Sequence, residues 1–292
     1  MPTSNTTDSM SLADGFAAAR AITKQCGRTF YFSAHFLPRE KRYATYSVYA
    51  LCRISDDTVD NNCGDAAAHQ LNTIKNKIDA VYNRSSMTDP VLLAFRETVF
   101  NYSIPKLYYD ELIDGMYMDV HKSSYDNFDE LYRYCYKVAG VVGLIMLKIF
   151  GSDNAQAEAS AVQLGIAMQL TNILRDIKED FERGRIYLPL DELERFGVTR
   201  QSLSRGIVDD NFKSMMRFQI KRARTHYEQS AAGIKMITDV RSRFVACAMK
   251  DLYAQILTAI EENNYDVFTI RAHVGTLRKL KTACGIFLKG NY

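Results

Sequence analysis

Asp56-Asp57-Thr58-Val59-Asp60 and, far downstream, Asn172-Ile173-Leu174-Arg175-Asp176-Ile177-Lys178-Glu179-Asp180 are the stretches on which the reading of this chain turns. Both sit inside apolar runs with helical spacing. On a helix, Asp56 and Asp60 stack their carboxylates on one face, about 6 Å apart along the axis. Asn172, Asp176 and Asp180 repeat that spacing. Like charges at i and i+4 destabilise a helix, so the arrangement asks for a compensating cation. Oxygen ligands that are few, carboxylate-rich and carried on two helices suit Mg2+, which binds through carboxylates together with a substrate phosphate. Either run alone would serve as well for a solvated helix face. Two copies, each beside an arginine (Arg53, Arg175), point instead to a diphosphate held by magnesium between two helices.

Composition narrows the class. The 292 residues are 47% apolar, enough for a sizeable core in one large all-α domain. Only five prolines occur, leaving long stretches without a helix breaker. The net charge of +3 and the absence of a basic arm argue against nucleic acid. The six cysteines are scattered with no C-x-x-C pair, which fits a reduced, cytoplasmic compartment better than a disulfide framework or a zinc site. Residues 1–12 lack the basic and apolar regions of a signal peptide. The most apolar run, Val138 to Phe150, is too short to span a bilayer and is interrupted by Lys148. A soluble protein is expected, with a membrane surface as a candidate peripheral contact.

Residues 1–10 read as a disordered lead, and 11–292 as one helical domain. A first helix is expected from Ser11 to about Leu37, and a second from Pro38 to Asp60. Asn61 to Gly64 then reads as a turn. Further helices are expected over about 66–83, 90–103, 105–122, 126–150 and 155–183. Short helices near 189–206 lead to a long one from about Asp210 to Asn263, and a basic, apolar helix ends the chain. No strand-like alternation of any length appears.

If the two acidic clusters face each other across a cavity, Asp56, Asp60, Asn172 and Asp176 become the metal ligands. Arg53 and Arg175 add forked donors matched to phosphate. Stabilising the leaving group in this way lets a carbon–oxygen bond break to a carbocation. Such a cation must be kept from water and steadied by aromatic faces. Phe30, Tyr31, Phe32, Tyr49, Tyr134, Tyr136 and Tyr253 are the available rings, and any one of them would serve equally as core.

The segment Arg28-Thr29-Phe30-Tyr31-Phe32, then Phe36-Leu37-Pro38, then Tyr49-Ala50-Leu51-Cys52-Arg53 leading into the first acidic cluster, resembles the squalene/phytoene synthase family. So do Tyr134 to Gly140, Leu164 to Asp176, Arg185-Ile186-Tyr187-Leu188-Pro189 and Asn264-Tyr265-Asp266-Val267-Phe268. The last two look like the bacterial phytoene/dehydrosqualene branch. The likeness covers about residues 14 to 280, with long motifs in matching order. It implies an all-α isoprenoid synthase bundle with a central cavity, joining two prenyl diphosphates head to head through a cyclopropylcarbinyl diphosphate. It also implies Asp56, Asp60, Asn172 and Asp176 as magnesium ligands. Cys26, Gly27, Arg28, Thr29, Tyr49, Arg53, Gln169, Arg175 and Tyr253 are implied as substrate contacts, and Tyr134 as an aid to ionisation or proton removal. Cys26 stands where the resemblance leads one to expect histidine or serine.

The expected reaction is two geranylgeranyl diphosphates to phytoene through prephytoene diphosphate, as in carotenoid biosynthesis. Farnesyl diphosphate to dehydrosqualene, presqualene diphosphate or squalene is the close alternative. NADPH is expected only for squalene, not for phytoene or dehydrosqualene. Asp56 to Asp60 also fits the D-D-x-x-D of chain-elongating synthases and terpene cyclases, but the second motif matches the head-to-head family. A non-catalytic scaffold member would be expected to let its acidic ligands drift, and here all are present. No protein partner is implied.

Overall fold

The computed structural model describes residues 11–60, 62, 64–152 and 154–289. The expected lead at 1–10, and Asn61 and Cys63 of the expected turn, lie outside the described residues. Among the described residues the fold is all-α, with only an isolated bridge between Ser124 and Ile186. The chain divides into two compact units, Met1–Lys106 and Leu107–Tyr292.

The first unit holds α1 (Leu12–Cys26), α2 (Arg28–Ala34), α3 (Arg39–Asp60), α4 (Gly64–Tyr82) and α5 (Pro90–Asn101). Local signals set the starts. Ser11 and Asp14 close a capping box on α1, and Asp89 caps α5 ahead of Pro90. Helix α3 packs on α1 and α5. It buries Ala44, Val48, Leu51 and Val59, at the i, i+4, i+7 and i+15 positions of one helical face. A buried hydroxyl pair, Ser47 with Thr98 at 2.7 Å, ties α3 to α5.

The second unit holds α6 (Lys106–His121) from its second residue onward, then α7 (Phe128–Cys135), a π-helical turn (Tyr136–Gly140), and α8 (Val141–Phe150). Then come α9 (Ala155–Arg175), α10 (Ile177–Glu182), α11 (Leu190–Arg195), α12 (Arg200–Ser204), α13 (Asp210–Ile234), α14 (Val240–Glu262) and α15 (Thr276–Lys289). Helix α9 is central, packed on α13, α8, α14 and the π turn. At Gly165 a side chain would come within 2.2 Å of the Ala139 carbonyl, so glycine is what lets α9 approach the π turn.

Four expected helices are interrupted. The first breaks at Gly27, whose N–H still bonds the Thr23 carbonyl at 2.9 Å while a new helix starts at once. The helix expected over 126–150 starts at Asn127, the α7 cap, and carries the π turn, a widened coil with i to i+5 bonding. The one expected over 155–183 bends at Asp176, where φ is −106° and ψ 17°. The long one expected from Asp210 is two helices, because Asp239 accepts from the Ser242 N–H at 2.9 Å and starts α14 afresh.

Candidate active site

In the first unit the site residues gather around Tyr49. A side chain on Gly27 would meet the Tyr49 ring at 2.5 Å, so the junction of α1 and α2 is open only because residue 27 has none. Phe30 stacks on the same ring, centroids 4.9 Å apart and planes at 25°. One turn further along α3, the Arg53 guanidinium forks onto Asp57 through Nε at 3.1 Å and Nη2 at 2.6 Å. The sequence reading left Asp57 without a role; its i+4 spacing from Arg53 was the available signal. Asp56 is exposed and Asp60 half-buried one turn on, and Cys26, Arg28 and Thr29 occupy the α1–α2 junction.

In the second unit Gln169, Asn172 and Asp176 follow at i, i+3 and i+7 along one face of α9. Asp176 is at once the end of α9 and the start of α10, yet the ladder persists across the bend. Its N–H bonds Asn172 and its carbonyl accepts from Asp180, both at 2.9 Å. Two arginines converge on its carboxylate: Arg175 Nε at 2.8 Å and Arg271, with Nε at 3.0 Å and Nη2 at 2.9 Å. Arg175 is held charged by that pairing against burial, which opposes it. Burial pushes the Tyr253 phenol up, with Arg175 close enough to pull it down. Burial first, and then the Asp176 charge, lift Asp180 to about 7. Arg271 was missed as a site residue because 95 residues separate it from Asp176.

Tyr134 is buried, and its hydroxyl donates to Asp119 Oδ2 at 2.8 Å. Tyr187 donates to the other oxygen, Oδ1, at 2.8 Å. The rings of Tyr134 and Tyr187 stack at 5.2 Å and 24°, with Tyr125 against both at 5.3 and 5.9 Å. Asp119, Tyr125 and Tyr187 carried no sequence signal of this contact beyond the family motif around Tyr187.

The donor set is oxygen-rich and carboxylate-based, as a hard divalent cation requires. Among the described residues, no group of three or more His, Cys, Asp or Glu stands together as a ready metal cluster. A hard divalent cation bound by carboxylates also takes part of its coordination from water and phosphate.

The squalene/phytoene synthase model matches residues 23–278, across both units, and the chain belongs to that family. Its class is therefore prenyltransferase. The 15-cis-phytoene synthase of Synechococcus elongatus is 37% identical over 286 residues, covering 92% of this chain and 91% of that protein. The chloroplastic phytoene synthase of Daucus carota is 38% identical over 276 residues, covering 92% and 69%. Among solved structures, a dehydrosqualene synthase in complex with ligand superposes with a TM-score of 0.89 at 29% identity, covering 96% of this chain and 98% of that one. The squalene synthase HpnC from Alicyclobacillus acidocaldarius gives a TM-score of 0.80 at 27% identity, covering 87% and 96%.

Proposed function

We propose that the protein joins two geranylgeranyl diphosphates head to head, through prephytoene diphosphate, to phytoene with release of diphosphate. The observation that carries this is the likeness to phytoene synthases along 92% of the chain, with both carboxylate motifs and their arginines intact. Magnesium fits the donor set of Asp56, Asp60, Asn172 and Asp176, and when bound it supplies positive charge against the departing diphosphate. Arg53 and Arg175 orient diphosphate oxygens through forked donors. Gln169, Tyr253, Cys26, Gly27, Arg28 and Thr29 complete the substrate contacts. Tyr49 and Phe30 offer ring faces to a developing cation. Tyr134 serves the ionisation or the final proton loss. Residues 11–292 act as one catalytic domain.

The structural likeness to a dehydrosqualene synthase supports a second reading, in which two farnesyl diphosphates are joined instead. Incubation with C15 and C20 diphosphates, with Mg2+ or EDTA and with or without NADPH, separates these readings when the lipid product is extracted. The expected result is phytoene from the C20 substrate, dependent on metal and indifferent to NADPH. No pyrophosphate release from either substrate would leave only a scaffold role.

No helix among the described residues is long and apolar enough to cross a membrane. We assign a cytoplasmic protein that meets the membrane surface through α15. That helix exposes Leu277, Leu280, Phe287 and Leu288, and its sequence carries Arg278, Lys279, Lys281 and Lys289 with no acidic residue. Such a face suits the boundary of an anionic bilayer. Flotation with anionic liposomes is expected to carry the intact protein upward and to leave a form truncated before Thr276 at the bottom. If both stay at the bottom, α15 is only a packing helix.

A further inference from the structure

The Arg185–Pro189 motif has no role in the reaction as described so far, yet the fold pins it firmly. The Ile186 N–H bonds the Ser123 carbonyl at 2.8 Å and the Leu190 N–H bonds the Tyr125 carbonyl at 2.9 Å. This pairing, between segments some 60 residues apart, presses Tyr187 onto Tyr134 and brings both hydroxyls to one carboxylate on the last turn of α6. Asp119 thereby receives one phenol proton on each oxygen, at 2.8 Å, in charge-assisted bonds. The direct contact between the two phenol oxygens, at 3.5 Å, is too long to compete. A small pocket borders the cluster at Tyr187, lined by aliphatic side chains such as Ile173, Ile177 and Leu188 and by the ionisable side chains of Asp180 and Arg185.

This geometry sets a chemical condition. Burial, and then the Asp119 charge, push the phenols of Tyr134 and Tyr187 far up, so neither is present as phenolate. A neutral phenol is a poor base unless its own proton can leave as another arrives. Asp119 stands where that proton would go.

We propose that Asp119 is a positioning residue and terminal proton acceptor for Tyr134 in the step that forms the last double bond. The proposal rests on the head-to-head reading above. A C1–H bond of the final allylic cation breaks, and its electron pair becomes the new carbon–carbon double bond. The proton lands on Tyr134 Oη while Tyr134's own proton passes to Asp119 Oδ2. Tyr187 holds the other oxygen, so the carboxylate cannot rotate away. Charge balances: a cation and a carboxylate become a neutral polyene and a carboxylic acid.

The test uses full-length enzyme with Mg2+ and whichever prenyl diphosphate the wild type accepts. Rapid quench separates the cyclopropylcarbinyl diphosphate from hydrocarbon. In Asp119→Asn the ratio of polyene to that intermediate should fall at least about tenfold, below the 10²–10⁴ usual for acid–base catalysis because Tyr134 remains. Water-trapped alcohols should appear in place of the polyene. Substrate deuterated at C1 should lower the ratio further in Asp119→Asn than in wild type. A merely structural role would depress both half-reactions together. An unchanged ratio in a variant that folds by circular dichroism therefore overturns the proposal. If Asn at 119 prevents folding, Tyr187→Phe decides: about a threefold fall in the ratio supports the relay, and no change rejects it. A wild type that makes no head-to-head product from either substrate removes the underlying reading and the relay with it.

Discussion

The two carboxylate motifs share a spacing and differ in almost everything the spacing does not encode. On α3 the motif lies within one uninterrupted helix, and its arginine pairs within that helix, Arg53 with Asp57, both side chains 40% exposed. At the end of α9 the helix bends on the motif itself. Arg175 and Asp176 are only 18% and 15% exposed, and a second arginine arrives from residue 271. An exposed pair contributes about 0–1 kcal/mol, screened by solvent and salt. Breaking a buried one leaves a charge without water or partner and costs about 3–5 kcal/mol. The same D-x-x-x-D spacing is thus a solvated clamp in one unit and a structural anchor in the other.

The widest separation should come from alanine at the acids. Asp56→Ala, Asp60→Ala and Asp176→Ala should each nearly abolish turnover, since each removes a proposed metal ligand. Stability should divide them. Asp56→Ala and Asp60→Ala change side chains that are exposed or half-buried and should shift urea denaturation by no more than about 1 kcal/mol. Asp176→Ala should lose about 3 kcal/mol by stranding Arg175. Equal stability in all three would mean that the Asp176 anchor is no stronger than the α3 clamp. Asn172→Ala should be milder in activity than Asp176→Ala, because a neutral ligand brings less charge to a metal.

Arg53→Lys keeps the charge and loses the fork. A fall in kcat/KM of about tenfold, equivalent to ~1.4 kcal/mol, is expected with little change in stability. If lysine performs as well, Arg53 contributes only positive potential, and Asp57 orients nothing of consequence.

Ala34 is 1% exposed in α2, one turn beyond Phe30, whose ring stacks on Tyr49. Phenylalanine there should cut activity on geranylgeranyl diphosphate more than on farnesyl diphosphate, by roughly threefold in the ratio. Overpacking costs about 1–3 kcal/mol in its own right, which is why the ratio is the informative quantity. Equal loss on both substrates would place the chain-length limit elsewhere.

A pH-dependent effect concerns Asp180 in metal-free protein. Its folded pKa is raised, from the ordinary carboxylate value of 3.8 to about 7, so the folded state binds the proton more tightly than the unfolded chain. Its contribution to stability is therefore full below about pH 4 and lost as pH rises through 7. Asp180→Asn should flatten that part of the stability–pH curve. Urea midpoints taken from pH 4 to 8 in EDTA check it, and parallel curves for wild type and variant would show that Asp180 is not the group responsible.

What could be read without the structure was everything carried by nearest neighbours along the chain. Pro38 and Pro90 mark helix starts, the apolar stripe of α3 shows its buried face, and Asp56–Asp60 and Asn172–Asp176 stand one helical turn apart whatever surrounds them. These are consequences of 3.6 residues per turn and of one missing N–H, and they need no tertiary partner. The breaks at Gly27 and Asp176 required one. A glycine within a helix costs only about 1 kcal/mol, too little to predict a break, and the reason for a glycine at 27 is tertiary, since Tyr49 occupies the space a side chain would need. The bend at Asp176 goes with Arg271, which meets that carboxylate from 95 residues away. Asp119 lies 15 residues from Tyr134 and 68 from Tyr187, separations at which no periodicity survives. Local geometry wrote the motifs. The pairings that set their charge and their protons were decided by packing, because burial turns an ordinary carboxylate into one that must find partners.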